Sequence, residues 1–167
     1  MTTPEPTGAK VALVIGAGEA TGGAIARRFA AGGYTACVTR RDTAKLETLV
    51  ESIRAAGGTA HGYGSDARRE EEVVALVERI EREVGPIEVL VFNIGANVPS
   101  SILEETARKY HKIWEMACFS GFLNAREVAR RMVEAGIHHV VVTDEGRIMG
   151  VVSALDFVRA YADDREG

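Results

Sequence analysis

The glycines at 16, 18, 22 and 23 are the residues of this 167-residue chain whose spacing points most directly to chemistry. Glycine has no Cβ, so backbone there can close on a phosphate. Free N–H groups at the start of a following helix then face the negative charge. The spacing Gly16-x-Gly18-x-x-x-Gly22, with Thr21 in the same turn, marks a candidate pyrophosphate site. Glycine turns between a strand and a helix also occur without a ligand, so the spacing alone is weak; the flanking order strengthens it. A second group, Arg40-Arg41, follows the next apolar run. In a dinucleotide fold this position meets the adenosine ribose. An acidic residue suits the free 2′-hydroxyl of NAD, and arginines suit the 2′-phosphate of NADP. NADP is therefore the expected cofactor, with NAD as the alternative. The same arginines read equally as a solvated basic turn.

Other chemistry finds little support. His138-His139 is the one histidine cluster, and neighbouring strand residues point to opposite faces, so no metal site is expected. Ser100-Ser101 and Ser120 have no base at a suggestive spacing. Cys37 and Cys118 are the two cysteines, which suggests no disulfide framework and fits a reducing cytoplasm. Cys37 reads as a small buried hydrophobe.

The elements that must position these residues alternate strand and helix. Val11-Ala12-Leu13-Val14-Ile15 is a continuous apolar run, as in a strand buried on both faces of a parallel sheet. After the glycine turn, Ala24, Ile25, Ala26, Phe29 and Ala30 have helical spacing. Tyr34 to Thr39 is a second strand. Thr43 can cap a helix with Leu46, Leu49, Val50 and Ile53 inward. Thr59 to Tyr63 is a third strand. Asp66 is a good N-cap for a helix from Ala67 to Val84, and Arg68-Arg69-Glu70-Glu71-Glu72 reads as its solvated face. Ile87 to Phe92 is a fourth strand, ending in Asn93-Ile94-Gly95-Ala96-Asn97. A polar helix around Leu103 to Trp114 runs on, through a break near Gly121, into Phe122 to Ala135.

This order resembles the short-chain dehydrogenase/reductase family over about residues 8–132. The glycine turn is similar to that family's T-G-x-x-x-G-x-G, with Gly16 and Gly22 at the first and last glycines. Ile15 stands for the threonine and Ala20 for the middle glycine. The resemblance implies that Asp66 lies beside the adenine. It also implies that Asn93 and Gly95, in a segment like N-N-A-G, pack against the cofactor and steady the sheet. FSGFLNAREVARRM is similar to the helix before the family's fifth strand. The family then has a catalytic serine and Y-x-x-x-K, whose tyrosine exchanges a proton while hydride passes to or from nicotinamide. No Y-x-x-x-K occurs here, Tyr161-Ala162-Asp163-Asp164-Arg165 is no equivalent, and the family's helix asparagine falls at Cys118. The resemblance thus implies a cofactor half without its catalytic half.

Residues 125–162 have their own signature. His138 to Thr143 is rich in β-formers, Asp144-Glu145-Gly146 is a turn, Arg147 to Val152 a strand and Ser153 to Ala162 a helix. This stretch resembles the latter part of a CBS motif, most specifically at GVVSALD. That resemblance implies a second nucleotide site at Ser153 and Asp156. Residue by residue, Ser153 can equally cap the last helix, with Asp156 favourable in its first turn.

The expected fold is therefore α/β. A three-layer Rossmann-like parallel sheet carries a CBS-like antiparallel edge strand and helix at its C-terminus, in one continuous sheet and one domain over 1–167. The length suits one domain with a real core. Hydrophobic residues make up 46% and charged residues 26%, as in a soluble globular protein. The formal charge of −4 gives no electrostatic case for nucleic acid or an anionic membrane, and no apolar run reaches spanning length. The N-terminal MTTPEPTGAK lacks a signal-peptide core and reads as a frayed tail of a cytoplasmic protein. Three functions compete. The first is an NADP-preferring dinucleotide-binding protein of oxidoreductase ancestry, without hydride transfer. The second is an adenine-nucleotide or self-association module at the CBS-like end, which could form a homo-oligomer. The third is a recombined or designed chimera that only folds.

Overall fold

Alternating residues of the first strand bury against two different helical layers, which is why the run from Val11 to Ile15 is apolar throughout. In the computed structural model, which describes residues 9–95, 99, 101–134, 139–144 and 147–153, this strand is β1 (Val11–Ile15). There follow α1 (Thr21–Ala31), β2 (Thr35–Arg40), a 3₁₀ turn at Thr43–Leu46, α2 (Glu47–Ala55), β3 (Thr59–Gly64), α3 (Glu70–Glu83) and β4 (Ile87–Phe92). Then come α4 (Ala107–Trp114), a π-helical turn at Glu115–Phe119, α5 (Ser120–Glu134), β5 (His139–Asp144) and β6 (Arg147–Ser153).

The first four strands make one parallel sheet in the order β3-β2-β1-β4. Val11, Leu13 and Ile15 share a core with Leu76, Val77 and Ile80 of α3 and with Val128 and Met132 of α5. Val14 faces the other way, into Ala26 and Ala30 of α1 and Leu49, Val50 and Ile53 of α2. Both faces of the sheet are thus covered, which gives the expected three layers. The chain leaves β1 on one side to make β2 and β3, and returns on the other to make β4. The connections on either side of the β1–β4 pair therefore run in opposite directions, at the point where doubly wound sheets take their ligands.

Several local expectations change. Thr43 does not cap a helix: Asp42 precedes a 3₁₀ turn with no side-chain cap, and α2 starts only at Glu47. Asp66 does not cap α3, which begins at Glu70; the backbone N–H of Arg69 instead donates to the Asp66 carbonyl. Arg68 belongs to no solvated helix face, because its guanidinium turns back to Asp66. The break in the long helix is the π-helical turn, just ahead of Gly121. β5 and β6 pair antiparallel, but as a separate two-stranded sheet rather than an extension of the first. β5 approaches β4 without joining its ladder among the described residues. The N-terminal tail through residue 8, and the C-terminal helix beyond Ser153, lie outside the described residues.

Candidate functional site: the cleft at the strand ends

The turn after β1 is locked by hydrogen bonds before any ligand is considered. The Gly16 and Ala17 N–H groups both donate to the Thr39 carbonyl at the end of β2, at 3.1 Å. The Asn93 N–H donates to the Ile15 carbonyl at 2.9 Å, and the Asn93 amide Nδ2 donates to the Gly16 carbonyl at 3.2 Å. Gly16 has φ +81°, and a Cβ there would lie 2.7 Å from both the Asn93 carbonyl oxygen and Ile94 Cγ1. Its glycine is demanded by the loop after β4 as well as by its dihedral. Gly22 is equally filled: a Cβ would sit 2.8 Å from Ala17 Cα and 2.9 Å from Asn93 Nδ2. At Gly18 and Gly95 an added Cβ meets open space.

A cleft of about 320 Å³ opens at these strand ends. Ile15, Gly16, Thr39, Arg40, Arg41, Ser65, Asp66, Ala67, Arg68, Asn93, Ile94, Gly95 and Met116 line it. Six residues singled out in the sequence therefore meet around one space: Gly16, Arg40, Arg41, Asp66, Asn93 and Gly95. Gly18, Thr21 and Gly22 stand at the adjoining start of α1 rather than in the cleft wall. That start has no side-chain cap and no acidic residue in its first turn. Ser153 is the last residue of β6, opposite His139. Asp156 lies outside the described residues.

The charges of the cleft are asymmetric. Asp66 and Arg68 form a fork, with Arg68 Nε 2.9 Å from Oδ1 and Nη2 2.5 Å from Oδ2. The Arg68 hydrogen bonds hold the Asp66 pKa down at about 2, against the opposing effect of burial. Arg68 also reaches Glu115 of the π-helical turn, at 3.8 Å. The backbone N–H of Asp66 donates to Glu72 Oε2 at 2.7 Å, fixing the loop from the other side. Arg40 and Arg41 line the cleft and make no ion pair among the described residues, although the Arg41 charge helps to hold Asp66 ionised.

The site has a far wall that sequence reasoning missed. Asn124 of α5 is buried, and its Nδ2 donates to the carbonyls of Ala67, at 3.1 Å, and Ser120, at 2.8 Å. Ser120 Oγ in turn donates to the Met116 carbonyl. This chain of bonds carries the π-helical turn, with Met116, up to the cleft. An asparagine four residues after a serine in a helix was the available signal. Arg68 was also missed, although Asp-x-Arg spacing suits a fork closed within one turn.

Comparison with known proteins agrees with this geometry. The short chain dehydrogenase family matches over residues 10–160. The match runs on past residue 132, through the CBS-like stretch, and no CBS motif is among the matches. A 2-dehydro-3-deoxy-D-gluconate 5-dehydrogenase of Formosa agariphila is 30% identical over 95% of this chain and 59% of its own length. A short-chain dehydrogenase from Rhodopseudomonas palustris is 48% identical, with a TM-score of 0.71 over 77% of this chain and 59% of that one. A metagenomic short-chain oxidoreductase in complex with NADP is 27% identical, with a TM-score of 0.73 over 78% of this chain and 60% of that one. The chain thus spans little more than half the length of the curated relatives it matches.

Proposed function

The chain belongs to the short-chain dehydrogenase family, and from that premise we propose that it binds NADP in the cleft at the ends of β1, β2 and β4. The observation that carries this reading is the unpaired pair Arg40 and Arg41 beside the glycine turn. Two adjacent guanidiniums in the cleft wall of a chain of net charge −4 suit a phosphorylated ribose better than a bare one. The residues fit a dinucleotide in other ways. The uncapped start of α1 suits a pyrophosphate, and open space at Gly18 and Gly95 leaves room for it. The complex of the metagenomic oxidoreductase with NADP supports the same assignment. Asp66, held ionised in its fork, offers acceptor oxygens toward an adenine amine, and Asn93 steadies the junction of turn and sheet.

When bound, the cofactor supplies hydride-transfer chemistry. This chain lacks Tyr-x-x-x-Lys to move the accompanying proton, so the proposed function is binding without reduction by that pair. A second reading rests on the antiparallel pair β5–β6, which ends at Ser153 and leads toward Asp156: an adenine-nucleotide module at the CBS-like end. Titration of wild type with NADPH, NADH and AMP separates the two. NADPH should bind more tightly than NADH, by roughly tenfold or more for a charge-assisted contact. Replacing Arg40 and Arg41 with Ala should erase that preference and leave NADH unchanged. Equal binding of NADPH and NADH by wild type would reduce the arginines to a solvated turn. A response to AMP alone would favour the second reading, and no response at all a scaffold that only folds.

A further inference from the structure

The parallel strands β1, β2 and β3 end side by side, so the cleft has an order along it. The glycine turn follows β1, Arg40 and Arg41 stand at the end of β2, and Asp66 stands in the loop after β3. A dinucleotide with its pyrophosphate at the turn and its ribose at the arginines reaches the Asp66 loop with its base. Asp66 lines the cleft with its side chain 16% exposed, so a ligand there can touch it. Its carboxylate is already heavily used. Oδ1 accepts from the Arg68 backbone N–H at 3.2 Å and from Arg68 Nε at 2.9 Å, while Oδ2 accepts from Arg68 Nη2. Each carboxylate oxygen has about two acceptor sites, which leaves one on Oδ2. Arg68 is braced in turn by Glu115 of the π-helical turn, 3.8 Å from Nη1. Two donors from one planar guanidinium fix the plane of the carboxylate and keep it a pure acceptor.

From this arrangement we propose that Arg68 is a positioning residue for base selection: its fork holds Asp66 as a fixed acceptor that takes a 6-amino purine and rejects a 6-oxo purine. The inference rests on the dinucleotide reading of the cleft and extends it to a side chain that acts through Asp66 without touching the cofactor. An amino group brings the hydrogen that the free site on Oδ2 needs. A 6-oxo group sets oxygen against an ionised carboxylate with no proton between them. Without Arg68, the Asp66 carboxyl rotates freely and takes up a proton more readily. A protonated carboxyl donates as well as accepts, so it no longer tells the two bases apart.

Calorimetric titration at pH 7 with NADP, and with its analogue carrying hypoxanthine in place of adenine, tests this. Wild type should prefer NADP by roughly tenfold or more, the worth of one charge-assisted bond. Arg68→Ala should weaken NADP by about fivefold or more and change the analogue by less than about twofold, so that the preference collapses. Asp66→Asn should collapse it too, because an amide can turn either a donor or an acceptor to the base. Arg68→Lys keeps the charge without the fork and should also lose most of the preference; it serves if the alanine variant does not fold. Equal weakening of both ligands in the Arg68 variants would make the fork a loop staple and overturn the proposal. So would a full preference in Arg68→Lys or Asp66→Asn. Wild type that binds the two ligands equally would overturn base selection while the cofactor reading stands. If wild type binds neither, the cofactor reading itself falls and this inference with it, an outcome distinct from the failure of Arg68 alone.

Discussion

Single residues in the turn have separable duties. Gly16 lies against the Asn93 carbonyl and the Ile94 side chain at positive φ, whereas Gly18 faces open space. Gly16→Ala should lower stability by roughly 2–4 kcal/mol, from a strained dihedral and a displaced loop. Gly18→Ala should leave stability unchanged or raise it by up to about 1 kcal/mol, through a less flexible unfolded chain. Urea unfolding of the two variants distinguishes these outcomes, and equal losses would refute the division. Asp66 gives a pH signature. Its pKa of about 2 in the fold lies below the ordinary aspartate value, chiefly because of the Arg68 hydrogen bonds. A depressed carboxyl pKa contributes stability that is present above the unfolded value, about 3.9, and is lost as pH falls through the folded one. Asp66→Asn should therefore cost about 1–2 kcal/mol at pH 7. The gap from wild type should narrow below pH 4 and nearly close at pH 2. A constant gap across that range would show that the fork contributes shape and no charge.

At the scale of elements, the cleft depends on how α5 is fastened. Glu127 is buried on α5 and accepts from Arg130 at 2.7 Å and Arg131 at 3.1 Å; Arg131 extends the network to Glu78 of α3 at 2.9 Å. Burial raises the pKa of Glu127, but the bonds from Arg130 and Arg131 outweigh that effect and the net direction is down. Asn124, one turn earlier, holds the Ala67 carbonyl at the cleft. Glu127→Gln should thus destabilise by roughly 2 kcal/mol, since two cations lose a charged partner. Arg130→Ala should cost less than Glu127→Gln, because that guanidinium is largely solvated. Guanidinium-chloride midpoints of the two variants check the order, and a larger loss for Arg130→Ala would contradict it. The strands and the α1, α2 and α3 stripes were legible because continuous apolar runs mark strands buried on both faces and period-3.6 stripes match the buried faces of the helices. The start of α3 was not, because Asp66 has two local bonding modes and only the fork with Arg68 selects between them.

For the whole molecule, the sheet sets a binding site while the sequence withholds the family's proton-transfer pair. We therefore expect at most a trace of NADPH consumption against aldehydes, ketones and quinones; the missing general acid–base assistance is worth roughly 10²–10⁴ in rate. Robust turnover, abolished by Tyr161→Phe, would overturn this expectation and make Tyr161 a proton donor. Among the described residues, no helix is long and apolar enough to cross a membrane. The sequence by itself determined the parallel three-layer core, because a strand buried on both faces must be apolar at every position and its partners must carry matching stripes. It also marked the glycine turn, the arginine pair and the lack of Tyr-x-x-x-Lys, which are matters of residue type and spacing. Only the tertiary structure decided what those residues touch. It closed Gly16 against the loop after β4, gave Asp66 to Arg68 and tied the Ser65 backbone to the Arg40 carbonyl. It also separated β5–β6 from the main sheet. Apart from the Asp66–Arg68 fork, which closes within two residues, these depend on distances between segments far apart in the chain, which local pattern does not encode.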